Sequence, residues 1–217
     1  MSSQRLPGKV LYKVAGKAIL QYLLERLRHC DGLNAIIVAT STDDSDTPIA
    51  DFCQEQGVLC YRGSLLNVAS RFKEASEAYQ LDGFVRVNGD SPLLDQRLIR
   101  QAVVAFLGGD FDLVTNVLKR TYPKGQSVEV LCSETFRAAY QRMRAGDELE
   151  HVTRYFYDRQ EDFRIFNFES GQDYGRIQLS VDTPQDVAMF SSIIARMDRA
   201  HWDYTLTEIL DIYGSLA

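Results

Sequence analysis

The first half of the chain alternates between amphipathic segments and short, continuous apolar runs. From Lys17 to Cys30, apolar residues recur every three or four positions, which predicts a helix with one buried face. The run from Ala35 to Thr40 (AIIVAT) shows no alternation and predicts a strand covered on both faces. Similar patterns predict helices at 48–56, 64–79 and 95–107, and strands at 58–61, 84–87 and 112–116.

This alternation of helices and strands, joined by short connections, is typical of a parallel sheet with crossover helices. We therefore predict an α/β fold in which helices flank a mostly parallel, Rossmann-like sheet. The whole chain, 1–217, is predicted to be a single domain with a small mixed insertion at roughly 119–175. The second half predicts strands at 127–131, 163–168 and 177–181, and helices at 133–145, 148–158, 183–197 and 205–213.

Charge and composition exclude several classes of function. The 30 acidic and 24 basic residues leave a net charge of −6, which argues against general nucleic-acid binding. No apolar run reaches the length of a membrane span, and the N-terminus lacks the apolar core of a signal peptide. The four cysteines show no Cys-x-x-Cys spacing and fit reduced core residues. We expect a cytoplasmic protein without nucleic-acid or membrane partners.

The N-terminal stretch offers a first candidate site. Arg5 and Lys9 flank a Leu6-Pro7-Gly8 turn, in which the proline fixes one φ angle and the glycine tolerates a positive φ. Ser2 and Ser3 add backbone N–H groups with little bulk around them. Such a loop suits a polyphosphate. A surface turn with two solvated cations fits the same residues.

Two aspartates offer a second candidate site. Asp90 follows a predicted strand within the loop 88–92, and Asp182 follows another strand just before Thr183-Pro184. Carboxylate oxygens suit Mg²⁺. The alternatives are a turn aspartate at position 90 and a helix-capping aspartate at position 182. Both can hold one ion only if their strands are neighbours.

The segments SSQRLPGKVL, VNGDSPLLD and VDTPQD resemble signatures of sugar nucleotidyltransferases. The resemblance covers nearly the whole chain and is closest to cytidylyltransferases of the spore-coat-polysaccharide and acylneuraminate type. It implies a Mg²⁺-dependent reaction of CTP with a sugar or sugar acid, giving a CMP-sugar and pyrophosphate for surface polysaccharide biosynthesis. It also implies that Arg5 and Lys9 are catalytic cations at the phosphates and that Asp90 and Asp182 hold the metal.

The same resemblance assigns further residues and shows two departures from the family pattern. The family usually has acids near Leu65 to Ser70, so Arg71 is either a nucleotide contact or a structural ion-pair partner. Gln126 and Ser127 replace a Leu-Asp pair, which leaves the acceptor sugar open. The implied nucleotide-binding residues are Ser2, Ser3, Ala39, Thr40, Ser41, Arg62, Ser64, Arg71 and Asn88. The implied acceptor-site residues are Lys124, Glu129, Glu150 and His151.

A third departure concerns the start of the chain. The family has a short apolar strand ending in Gln-Ala-Arg before the phosphate loop, whereas this sequence begins at Met1, inside the loop. Either the start lies at an internal methionine or the strand is lacking, and in the second case two strands would have unpaired edges.

Two alternative functions stay open: a glycosyltransferase that uses a nucleotide-sugar donor, and a degenerate, non-catalytic nucleotide-binding homologue. The exposed sheet positions and the insertion are consistent with a homodimer.

Overall fold

The computed structural model describes residues 5–144 and 146–216. Ser2 and Ser3, which the sequence places in the phosphate loop, lie outside the described residues. The helices of the described part are α1 (Ile19–Arg28), α2 (Thr47–Glu55), α3 (Val68–Ala78), α4 (Gln96–Gly108), α5 (Ser133–Tyr140), α6 (Gly146–Glu150), α7 (Arg154–Asp158), α8 (Pro184–Ile194) and α9 (Leu206–Gly214). Its strands are β1 (Lys13–Val14), β2 (Lys17–Ala18), β3 (Ile37–Ser41), β4 (Leu59–Gly63), β5 (Gly83–Arg86), β6 (Leu113–Thr115), β7 (Glu129–Cys132) and β8 (Ile165–Asn167).

The strands form three groups. Strands β1 and β2 make an antiparallel hairpin, β3 and β4 form a parallel pair, and the remaining four strands have the order β5-β7-β6-β8. Strand β7 runs antiparallel to both of its neighbours, whereas β6 and β8 are parallel. The predicted α/β class is therefore confirmed, and the strand pairing is mixed. The segment 119–175 contributes β7 to the interior of the sheet, and its definition as an inserted lobe stays a prediction.

Strands β3 and β5 each have one unpaired edge. Within the described residues, β3 pairs only with β4 and β5 pairs only with β7. An unpaired edge leaves backbone groups without ladder partners and side chains with fewer neighbours. As a result Ile37, Val38 and Ala39 are only half-buried, although their apolar run predicted a strand covered on both faces.

Two hydrophobic clusters hold the elements together. The larger one joins α1, α4, α8 and α9 through fully buried residues such as Leu24, Ile99, Ile193 and Ile209. The smaller one packs α5 and α7 onto β6 and β7. Burying such side chains contributes about 1.5–3 kcal/mol each. Among the described helices, none is both long and apolar enough to cross a membrane.

Several boundaries differ from the sequence prediction, and the predicted helix at 133–145 already ends at Tyr140. The predicted helix at 17–30 begins only at Ile19, because the two preceding residues form β2. The predicted helix at 148–158 divides into α6 and α7, and the turn between them contains the buried, β-branched Val152 and Thr153. The predicted strand at 177–181 does not form, and this segment makes only one isolated bridge among the described residues, from Gln178 to Lys124. Asn67, rather than Ser64, caps α3 by accepting a hydrogen bond from the Ser70 amide.

Candidate active site

Asp90 and Asp182 are brought together by the backbone. The Val181 amide donates a hydrogen bond to the Asp90 carbonyl at 2.8 Å, so the segment before α8 runs beside the loop after β5. That loop is closed by the Ser91 amide, which donates to the Asn88 carbonyl at 3.2 Å. The two strand-end segments are therefore neighbours, which a shared ion requires.

Lys9 lies between the two carboxylates. Its Nζ atom is 2.5 Å from Asp90 Oδ2 and 2.7 Å from Asp182 Oδ1. Arg5 reaches Asp182 from the solvent side, with Nη2 3.2 Å from Oδ1. The side chain of Lys9 is only 14% exposed, against 66% for Arg5. Two cations thus neutralise two carboxylates at one place.

The N-terminal turn places Lys9 in this position. Gly8 has a φ of 71°, in the left-handed region that other residues avoid, and it precedes a 3-10 turn formed by Lys9–Leu11. The Leu11 amide donates to the Gly8 carbonyl at 2.9 Å, and the Lys9 amide donates to the Leu6 carbonyl at 3.2 Å. The Leu6-Pro7-Gly8 sequence therefore fixes the backbone position from which the Lys9 side chain extends.

The charged groups reinforce each other's ionisation. Burial by itself lowers the pKa of Lys9, but its hydrogen bonds and charge attraction to Asp182 and Asp90 outweigh burial and raise that pKa. For Asp182, burial favours the neutral acid, but Lys9 and Arg5 outweigh burial and lower the pKa of the carboxyl. Lys9 and Asp182 are consequently both charged at neutral pH.

The helix cap of α8 does not use the Asp182 carboxylate. Thr183 is the N-cap, and its hydroxyl accepts a hydrogen bond from the Asp186 amide. Asp186 Oδ2 in turn accepts bonds from the Asp182 and Thr183 amides at 2.9 and 2.8 Å. This capping box leaves the Asp182 side chain free to face Lys9. Helix capping therefore does not account for Asp182.

The carboxylate pair fits a hard divalent cation. The Lys9 ammonium stands in for such a cation, because its Nζ atom lies 2.5 Å from one carboxylate oxygen and 2.7 Å from the other. In the described part of the chain, no group of three or more His, Cys, Asp and Glu side chains could hold a metal. A cation here would take its other ligands from phosphate oxygens and water, as Mg²⁺ commonly does. Asp90 and Asp182 would hold it, and this assignment stays a prediction.

Asp46 forms hydrogen bonds with Thr40 and Ser41, two of the predicted nucleotide-binding residues at the end of β3. Its Oδ2 atom accepts hydrogen bonds from Thr40 Oγ1 at 2.8 Å, Ser41 Oγ at 2.6 Å and the Ser41 amide at 3.0 Å. Asp46 is only 4% exposed. Sequence reasoning missed it because it is one of several acids in a polar loop. Its position one residue before α2 was the available signal.

The two arginines predicted to bind the nucleotide, Arg62 and Arg71, form different hydrogen bonds. Arg62 donates to the Ser41 and Asp43 carbonyls at 2.9 and 3.0 Å, so its guanidinium holds the loop after β3. Arg71 reaches the Ala39 carbonyl at 3.4 Å, and its buried Nε has no hydrogen-bond partner among the described residues. Arg71 therefore keeps one donor that no described residue uses, and the nucleotide-binding roles of both arginines stay predictions.

The contacts of Ser64 and Asn88 with the described residues do not bring the two side chains together at one ligand site. Ser64 Oγ accepts a hydrogen bond from the Asn67 amide at 3.0 Å, within the turn before α3. Asn88 is exposed in the loop after β5, two residues before Asp90. The nucleotide-binding roles of both residues stay predictions.

The predicted acceptor residues do not form one cluster. Lys124 is exposed, and its carbonyl accepts bonds from the Leu179 and Ser180 amides, close to Asp182. Glu150 and His151 are exposed at the end of α6, and no contact of the described residues links them to the carboxylate pair.

Glu129 belongs to a buried polar network instead. It is 1% exposed, pairs with Arg86 and accepts a hydrogen bond from the Tyr157 hydroxyl at 2.5 Å. Burial and the neighbouring carboxylate raise the pKa of Tyr157 far above its usual value, so the phenol stays a donor. The Glu129 carboxylate thus has internal partners, and its predicted contact with an acceptor sugar remains untested.

The architecture is that of an α/β protein, and its paired carboxylates and cations lie at the ends of the strand segments, where such folds bind their ligands. The family model described as "Cytidylyltransferase" matches residues 1–204. The chain therefore belongs to the cytidylyltransferase family, which confirms the resemblance drawn from the sequence.

Individual proteins are similar to the chain over nearly its whole length. The chain is 34% identical to an uncharacterized protein of Methanocaldococcus jannaschii over 211 residues, or 96% of this chain and 85% of that protein. It is 28% identical over 209 residues to the spore coat polysaccharide biosynthesis protein SpsF of Bacillus subtilis, covering 92% of this chain and 84% of SpsF. A solved cytidylyltransferase from Leptospira borgpetersenii superposes with a TM-score of 0.94 at 26% identity, covering 100% of this chain and 91% of the other.

Proposed function

We propose that the protein is a Mg²⁺-dependent cytidylyltransferase that joins CMP to a sugar acid and releases pyrophosphate. The observation that carries this proposal is the convergence of Asp90 and Asp182 on Lys9, beside Arg5. Membership of the family supports CTP as the nucleotide. The similarity to SpsF supports a role in the synthesis of a surface polysaccharide.

The proposed chemistry is an in-line displacement at the α-phosphorus of CTP. A sugar hydroxyl forms a new bond to this phosphorus and loses its proton to solvent, while the bond to the bridging oxygen breaks and pyrophosphate leaves. Arg5 and Lys9 neutralise charge that builds up on the phosphates, and the turn around Gly8 holds them in position. When bound, Mg²⁺ would supply further charge neutralisation on the triphosphate.

The proposed acceptor is anionic because the backbone of an exposed lysine, Lys124, is bonded to the segment just before Asp182. Lys124 lies on a turn, and its backbone carbonyl accepts hydrogen bonds from the Leu179 and Ser180 amides. Both of these residues are within three positions of Asp182 along the chain. An ammonium group at this place suits the carboxylate of a sugar acid. Its exposure keeps it available to a ligand.

The test is the release of pyrophosphate from CTP, Mg²⁺ and a panel of sugar acids, with UTP, ATP and GTP as competitors. The proposal predicts turnover with CTP and a loss of at least about a hundredfold in Asp90→Asn. Asp211→Asn, which changes an exposed carboxylate on α9, is the matched control and should retain wild-type turnover. Full turnover by Asp90→Asn, release of a nucleoside diphosphate from a nucleotide sugar, or no CTP binding by folded protein would each contradict the proposal.

A further inference from the structure

The position of Lys9 has a consequence for how a metal enters the site. Its ammonium lies 2.5 Å from Asp90 Oδ2 and 2.7 Å from Asp182 Oδ1, directly between the two proposed metal ligands. An ammonium and a divalent cation cannot both occupy this space, because like charges a few ångströms apart repel strongly. The carboxylate pair therefore has either Lys9 or a metal between its oxygens.

The charges of the site also disfavour a free metal ion. Asp90 and Asp182 carry two negative charges, and Lys9 and Arg5 balance them with two positive charges. A divalent cation that arrives alone is not attracted by a net negative charge, and it must first displace the ammonium group of Lys9. The 14% exposure of the Lys9 side chain means that solvent screens this lysine only in part.

A nucleoside triphosphate would change this balance. Its phosphates offer the Lys9 ammonium new anionic partners, and the four single bonds of the lysine side chain allow Nζ to turn towards them without a backbone change. The carboxylates would then be free for the metal that accompanies the phosphates.

We propose that Lys9 occupies the metal site in the absence of nucleotide and keeps free divalent cations out until a nucleotide arrives. The metal then enters only together with a nucleoside triphosphate. This inference rests on the proposed function, because it takes Asp90 and Asp182 to be the metal ligands.

The test measures Mn²⁺ binding without nucleotide, by the electron paramagnetic resonance signal of free Mn²⁺. Wild-type protein should bind Mn²⁺ weakly, and Lys9→Met, which keeps the aliphatic stem, should bind it at least about tenfold more tightly. Lys13→Met changes an exposed lysine of β1 and should bind like the wild type. The double variant Lys9→Met/Asp90→Asn should lose the gain, since one ligand is missing.

Thermal unfolding provides a second readout that is independent of activity. Mn²⁺ should raise the Tm of Lys9→Met and leave that of the wild type unchanged, because only a cation bound to the folded state stabilises it. A Lys9→Met variant that folds and binds Mn²⁺ no better than the wild type overturns the inference, as does a gain that survives in the double variant.

The two proposals can fail separately. Wild-type turnover of CTP combined with unchanged Mn²⁺ affinity in Lys9→Met would overturn the exclusion role and leave the proposed reaction. Tighter Mn²⁺ binding by Lys9→Met combined with no turnover of any nucleotide would support the exclusion role and remove the proposed reaction.

Discussion

Two aspartates of one short segment, SVDTPQD, have opposite roles. Asp186 accepts three hydrogen bonds at the start of α8, from the Asp182 amide and from the amide and hydroxyl of Thr183. Asp182 instead directs its carboxylate at Lys9. The sequence alone left capping and metal binding open for Asp182, because both roles occur at the end of a strand that precedes a helix.

Exchanging these aspartates for neutral residues should separate stability from activity. Asp186→Ala should lower the free energy of unfolding by about 1 kcal/mol, since it removes a capping box. Asp182→Asn should abolish pyrophosphate release and change the free energy of unfolding less than Asp186→Ala does. Urea unfolding and the pyrophosphate assay on both variants give the comparison. Normal turnover in Asp182→Asn would contradict its assignment.

Asp46 organises the end of β3 through three hydrogen bonds to Thr40 and Ser41. Burial favours the neutral acid, but the hydrogen bonds that the carboxylate accepts, those from Ser41 and Thr40 among them, outweigh burial and hold the pKa of Asp46 well below its usual value. Asp46→Ala should therefore destabilise the protein by about 2–4 kcal/mol, because it leaves buried donors unpaired. Asp44→Ala, at an exposed acid of the same loop, is the control in a urea titration. Equal stability of the two variants would show that the network contributes little.

At the scale of elements, the sequence predicted helices better than strand pairing. Helices α1, α4, α8 and α9 lie within a few residues of their predicted bounds, because apolar periodicity and caps such as Thr205 are local signals. The position of β7 between β5 and β6 was not predicted, since it depends on contacts between distant parts of the chain. The hydrogen bonds from Thr40 and Ser41 to Asp46 could likewise not be predicted from the sequence.

The cap of α9 gives a quantitative test of a local signal. Thr205 accepts a hydrogen bond from the Glu208 amide, and the Glu208 carboxylate accepts one from the Thr205 amide at 2.9 Å. Thr205→Ala should cost about 1 kcal/mol of stability, whereas Thr207→Ala, at an exposed position of the same helix, should cost much less. Thermal unfolding of both variants checks this, and similar losses would argue against the capping role.

At the scale of the whole molecule, a buried arginine ties the C-terminal segment to α1. Arg26 is fully buried and donates to the carbonyls of His201 and Tyr204 and to the side chain of Gln96. Beside it, His201 Nε2 lies 2.7 Å from Glu25 Oε2. Burial outweighs the attraction of Glu25 and, with the nearby charge of Arg26, lowers the pKa of His201 to about 4. The imidazole is thus neutral in the folded protein at neutral pH.

This histidine should make folding stability depend on pH. The unfolded chain takes up a proton near pH 6.5 and the folded protein only near pH 4, so stability is fully present above pH 6.5 and is lost as the pH falls between these values. The loss should be on the order of 3 kcal/mol. Urea unfolding at pH 7, 5.5 and 4.5 measures it. His201→Gln should flatten this dependence, and an unchanged slope would assign it to other groups.

If the proposed function is right, Asp90 and Asp182 hold one divalent cation together with CTP. The most direct measurement is a crystal structure of the protein with Mn²⁺ and CTP, in which anomalous scattering locates the metal. We expect one Mn²⁺ peak within coordination distance of both carboxylates, with the Lys9 ammonium moved onto a phosphate. A Mn²⁺–CTP complex bound away from either aspartate, with Lys9 still between them, would contradict it.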